Sequence, residues 1–86
     1  MRLATTKRFD KQYAKLKPSV KLRFKARIEL FLDNPLNPVL RNHPLAGKYV
    51  GYRSINITGD TRALYRQKGD TLIIFAFIGS HSQLYG

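Results

Sequence analysis

Two histidines, His43 and His81, and sixteen lysines and arginines stand against five acids and no cysteine in a chain of 86 residues. That inventory narrows the chemistry before any element is drawn. Without cysteine there is no thiolate nucleophile and no disulfide, and two lone histidines with no partnering Cys or His make a zinc site improbable. The sequence holds no P-loop and no G-x-G-x-x-G. Of the acids, Asp33, Asp60 and Asp70 occupy turn contexts, which leaves too few carboxylates for a carboxylate dyad or a two-magnesium centre. What remains is chemistry run by bases and cations, with no metal and no cofactor. Cleavage of an RNA phosphodiester suits such a set, because the substrate's 2′-hydroxyl is its own nucleophile. The protein then supplies a base for that proton, an acid for the 5′-oxygen and cations for the phosphate. Histidine, with a pKa of ~6.5, serves both proton steps near neutrality.

His81 is the sharpest candidate. It follows the last apolar run in Gly79-Ser80-His81-Ser82, and Tyr85 comes four residues later at the end of the chain. A terminal His-x-x-x-Tyr can present imidazole and phenol together, with a ring face for a base to stack on. The plainer alternative is a polar turn residue beside a pinned C-terminus. His43 precedes Pro44, where a loop histidine bonded to backbone is the commoner case. Arg53 and Arg62 begin or line neighbouring strands, and Arg62 offers the fork that grips a phosphate. Asp60 reads first as the turn residue of Gly59-Asp60.

The elements that must position these groups fall into two halves. Thr5 or Thr6 caps a first helix with Phe9, Tyr13 and Leu16 on one face, and Lys17-Pro18-Ser19 interrupts it. A second helix places Val20, Phe24, Ile28 and Phe31 on a stripe with Leu32 alongside, and Asp33-Asn34-Pro35 stops it. Residues 36–48 read as an irregular connection. Three strands follow, at 52–57, 62–66 and 71–78, separated by Gly-Asp turns. The last is apolar on both faces, as a covered central strand is. A strand at 3–5 precedes the helices. The expected architecture is a single α+β domain over residues 1–86, ordered β-α-α-β-β-β with a short tail, its helical hairpin packed on an antiparallel sheet.

The formal charge is +11. Ten basic residues but only Asp10 and Glu29 as acids fall in residues 1–29, against six and three in the rest. Such imbalance points to a polyanionic partner. The longest apolar run, Leu72 to Ile78, is too short to span a bilayer, and no secretory signal is visible, so a cytoplasmic protein without a membrane partner is expected.

Taken in order, His43-Pro44-Leu45-Ala46-Gly47-Lys48, Gly51-Tyr52-Arg53, Arg62-Ala63-Leu64-Tyr65 and Gly79-Ser80-His81-Ser82-Gln83-Leu84-Tyr85 resemble the RelE/ParE superfamily of toxins from toxin–antitoxin modules. Within it they resemble the YafQ-like branch. The resemblance implies a ribosome-dependent, metal-independent mRNA endoribonuclease that enters the ribosomal A site and is neutralised by an acidic antitoxin. The toxin alone is expected to be a monomer. It also implies that His81 is the general acid and that Tyr85 is the terminal aromatic against the substrate. His43 and Asp60 then match further site positions, and Arg62 the phosphate-holding arginine. Arg53, Lys48, Lys7, Arg8 and Lys11 are the cations expected on the RNA backbone. This sequence departs from the branch at Asn56, where a histidine is usual, at Thr61, often an aromatic, and at Phe77, usually an arginine. Arg62 or Arg53 is then left to supply the missing cation, or the enzyme is slower. The competing reading is a non-catalytic ParE-like inhibitor of a DNA-handling enzyme such as gyrase, or a plain RNA-binding module.

Overall fold

Thr6 starts the first helix because its hydroxyl accepts a hydrogen bond from the Phe9 N–H at 3.1 Å, satisfying a donor that the helix itself leaves orphaned. The computed structural model describes residues 1–86. Strand β1 (Arg2–Thr5) leads into α1 (Lys7–Ala14) and α2 (Pro18–Asp33). Pro18 stands at the start of α2, where its missing N–H costs nothing, and Asn34 ends the helix in an extended conformation. Strands β3 (Arg53–Asn56), β4 (Thr61–Lys68) and β5 (Leu72–Ser80) form the expected antiparallel meander. Between β4 and β5 the turn places Gly69 at φ +65°, a backbone conformation that glycine adopts without steric cost.

Two elements differ from the sequence reading. The connection at 36–48 is not wholly irregular, since β2 (His43–Pro44) pairs with β3 and brings the sheet to five strands, ordered β1-β5-β4-β3-β2. The short tail is a one-turn helix, α3 (His81–Tyr85). Its start carries a capping box: Ser80 Oγ accepts from Gln83 N–H, and the Gln83 side chain accepts from Ser80 N–H. The Ser-x-x-Gln spacing was the signal for it.

The hairpin of α1 and α2 covers one face of the sheet. Phe9, Phe31, Leu40, Ile55, Ile57, Ala63, Tyr65, Ile73, Phe75 and Ile78 form a buried cluster there, with Tyr13, Leu16, Val20, Phe24, Ile28 and Leu30 packed around it. Leu32 does not join the stripe: it is exposed, turned away from the sheet. The opposite face has a smaller cluster, Tyr49, Leu64 and Leu84, which anchors α3.

A bulge in β5 divides its side chains between these faces. Leu64 pairs with Phe77 and Tyr65 with Phe75, so Ala76 is the extra residue. Ile73 and Phe75 face the helices; after Ala76 the alternation inverts, Phe77 joins the opposite cluster and Ile78 returns to the helix side. The bulge sits where β1 has ended, and α1 completes its hydrogen bonds. The Thr6 hydroxyl donates to the Ala76 carbonyl at 3.0 Å, and the Gln12 side-chain oxygen accepts from Ile78 N–H at 2.9 Å. No helix is long and apolar enough to cross a membrane.

Candidate functional site

The face without the helical hairpin carries an open cleft of about 330 Å³ lined by His43, Leu45, Ala46, Ser54, Arg62, His81 and Tyr85. Each residue arrives from a different piece of backbone. His81 is the first residue of α3, and its N–H donates to the Asp60 carbonyl at 3.2 Å, which fixes where the helix begins. Tyr85 lies one turn later on the same helical face, and its ring centroid stands 4.8 Å from that of His81. The pairing expected from His-x-x-x-Tyr is thus present.

Tyr85 is held by more than its helix. The Tyr49 ring meets it edge-on at 5.4 Å, and the buried Tyr49 hydroxyl donates to the Leu84 carbonyl at 2.7 Å, pinning α3 to the sheet. Desolvation raises the Tyr85 phenol above its ordinary pKa of 10.0; neighbouring Tyr49 raises it further, and Arg62 opposes both. Near neutral pH the phenol therefore keeps its proton and acts as a donor.

His43 comes from β2, opposite Ser54 of β3. Its Nδ1 lies 2.7 Å from the Arg41 carbonyl. A carbonyl only accepts, so Nδ1 carries the proton and Nε2 is left with the lone pair of a base. Arg41 presents that carbonyl from a left-handed conformation, φ 49°, uncommon for a residue with a side chain.

The arginines do not behave as their positions alone suggested. Arg62 lines the cleft, but its guanidinium is engaged with the preceding turn. Nη1 donates to the Thr58 and Thr61 carbonyls at 3.0 and 3.2 Å, and Nη2 to the Gly59 carbonyl at 3.2 Å. It contributes a fixed positive charge more than a free fork. Arg53 is on the other face of the sheet. It pairs with Tyr65, and its Nε donates to Asn42 Oδ1 at 2.8 Å, while Asn42 donates in turn to the Tyr65 hydroxyl. Strand alternation gives the physical reason: Ser54 points into the cleft, so Arg53 before it cannot.

Asp60 is exposed in the turn, and it meets His81 through its backbone carbonyl. Its side chain is not part of the cleft lining. Lys48 is exposed and places Nζ 5.2 Å from the Tyr49 ring centroid, beside the cleft. Lys7, Arg8 and Lys11 are exposed on α1. Ser54 forms part of the cleft although almost fully buried, and the sequence reading did not select it. Its position directly opposite His43 is a register fact, visible only once β2 is known. No group of three or more His, Cys, Asp or Glu side chains is placed to hold a metal ion.

Comparison with known proteins agrees with this geometry. The family described as bacterial toxin of type II toxin–antitoxin system, YafQ, matches residues 1–86. The mRNA interferase toxin YafQ of Escherichia coli (strain K12) is 33% identical over 66 residues, which is 74% of this chain and 71% of that protein. The crystal structure of YafQ from E. coli strain BL21(DE3) superposes with a TM-score of 0.83 at 25% identity, covering 99% of this chain and 98% of that one. In the E. coli DinJ-YafQ complex the matching chain gives a TM-score of 0.73 at 26% identity, over 99% of this chain and 98% of that one.

Proposed function

This chain belongs to the YafQ family of toxins from bacterial type II toxin–antitoxin systems, and we propose that it is an mRNA interferase that cuts RNA by attack of the 2′-hydroxyl on the adjacent phosphate. The observation that carries this reading is the meeting in one cleft of two imidazoles, His43 and His81, from opposite ends of the second half of the chain. Nε2 of His43 takes the 2′-hydroxyl proton, and that oxygen attacks the phosphorus. His81 in its protonated form gives a proton to the departing 5′-oxygen. The products are a 2′,3′-cyclic phosphate and a free 5′-hydroxyl, with one proton gained by His43 and one lost by His81. Each positioned acid or base contributes a rate factor of ~10²–10⁴.

Tyr85 offers its ring beside His81 for a base to stack on and its phenolic proton as a donor. The turn-bound Arg62 stabilises charge collecting on the phosphate without having to reorganise. Asp60 serves through its backbone, by setting the position of His81. Lys48, Lys7 and Lys11 supply contacts to phosphates, which position the protein without reading sequence. The net charge of +11 suits a ribosomal A-site surface and an acidic antitoxin alike.

The test is to express the chain in cells and map new mRNA 5′ ends by primer extension. Cuts that recur in phase with codons, and that disappear with His81→Ala and with His43→Ala, are the expected result. Undiminished cutting by both variants would remove the site assignment, and intact mRNA in growth-arrested cells would remove the activity.

A further inference from the structure

We propose that Arg8, seated on the ring of Phe77, is the mobile cation that grips the substrate's phosphate backbone beside the cleft. This rests on the reading of the cleft as an RNA-cleaving site. An arginine binds phosphate tightly when its planar fork is free to donate two parallel hydrogen bonds. Neither arginine in β3 or β4 that the sequence suggested has that freedom: both terminal nitrogens of Arg62 are spent on three carbonyls, and Arg53 is bonded to Asn42 on the far face.

Arg8 differs in both respects. It is exposed, and its guanidinium carbon lies 5.4 Å from the centroid of the Phe77 ring. A ring attracts the face of a guanidinium and leaves its edge, with all the N–H donors, available. The cation is thus held in place without using the groups a phosphate needs.

The mounting connects directly to the catalytic groups. Phe77 meets Tyr49 at 5.2 Å, Tyr49 meets Tyr85 at 5.4 Å, and Tyr85 meets His81 at 4.8 Å. Lys48 sits on Tyr49 within the same cluster. A strand of RNA with its scissile phosphate at His81 would pass Lys48 and then Arg8 within a few nucleotides. Phe77 reaches this face only through the Ala76 bulge, and the hydroxyl that ties down that bulge belongs to Thr6, two residues before Arg8. One segment therefore both turns the ring towards the cleft and supplies the cation that rests on it.

The experiment measures binding of a short fluorescent single-stranded RNA to the full chain in a His81→Ala background, as a function of salt. Arg8→Ala is expected to weaken binding about 10-fold and to reduce the slope of log K against log salt by ~0.7, the value of one phosphate contact on a single strand. Phe77→Leu, which leaves the charge count unchanged, should lose most of the same affinity, and Phe77→Tyr should keep it. The double variant Arg8→Ala/Phe77→Leu should bind no worse than Arg8→Ala alone. Unchanged binding by Arg8→Ala, or Phe77→Leu and Phe77→Tyr that bind equally well, would overturn the proposal. Cleavage by the unaltered chain is scored separately, so loss of the enzymatic reading is distinguishable from loss of this one.

Discussion

The two faces of the sheet are built to different rules. Under the helical hairpin lies a ten-residue cluster that is apolar throughout, apart from the Tyr65 hydroxyl, which accepts from Asn42. On the other face three residues, Tyr49, Leu64 and Leu84, do the equivalent work, and around them stand two imidazoles, three arginine or lysine side chains and a phenol. The helix-covered face provides the stability that lets the thin face stay open. A cleft that must admit a phosphate cannot also be sealed, so its parts are tethered one by one: α3 by Leu84 and the Tyr49 hydroxyl, His81 by the Asp60 carbonyl, His43 by the Arg41 carbonyl.

That division is open to attack from either side. The largest stability loss is expected on the helix side: Phe31→Ala, at a fully buried position, should lower the free energy of unfolding by about 3–5 kcal/mol. Denaturant titration measures it, and a loss below about 1 kcal/mol would show that the hairpin is not the main source of stability. On the cleft side, His81→Ala should reduce RNA cleavage by ~10²-fold or more while leaving the denaturation midpoint in place, because the ring is exposed and makes no hydrogen bond to the rest of the chain. Tyr49→Phe is intermediate. It removes the buried donor to Leu84 and should cost about 1 kcal/mol, with amide exchange in α3 accelerating before that of the core strands. Ser80→Ala, which removes one half of the capping box, should loosen the same helix by about 1 kcal/mol or less.

The smallest effect is a pH dependence. Because the folded phenol of Tyr85 titrates above its ordinary value, folding favours the protonated form. Its contribution to stability is therefore complete below pH 10 and is lost as the pH rises through the higher folded value. Stability curves of the wild type and Tyr85→Phe should run parallel up to about pH 10 and diverge only above it. Divergence near neutrality would mean that Tyr85 is not in the environment described.

Most of the architecture was legible in order and type. Thr6 as cap, Pro18 as the break between helices, the stripe Val20-Phe24-Ile28-Phe31 and the Gly-Asp turns are local signals, and local signals survive folding. The misses share one cause. Strand β2 is two residues long and carries a proline, so nothing periodic marks it; it exists because β3 offers it an edge. Leu32 stands beside the buried stripe in a helical projection, and only the tilt of α2 on the sheet decides which side of the stripe is covered. The terminal helix had a signal in Ser80 and Gln83, one that a five-residue element makes easy to pass over.

For the site the boundary is sharper. Composition alone restricted the chemistry to imidazole, phenol and cation, because cysteine is absent and the acids are few. Spacing alone placed His81 and Tyr85 one helical turn apart. Which arginines serve was decided by tertiary structure, since a guanidinium's role depends on what occupies its donors and on which face of a strand it stands. Arg62 is fastened to a turn, Arg53 is turned away by strand alternation, and Arg8 is brought onto Phe77 by a bulge that no period reveals. Residue types set which reactions the chain can run; long-range pairing, which acts between residues far apart in sequence, decided which copies of each type are free to run them.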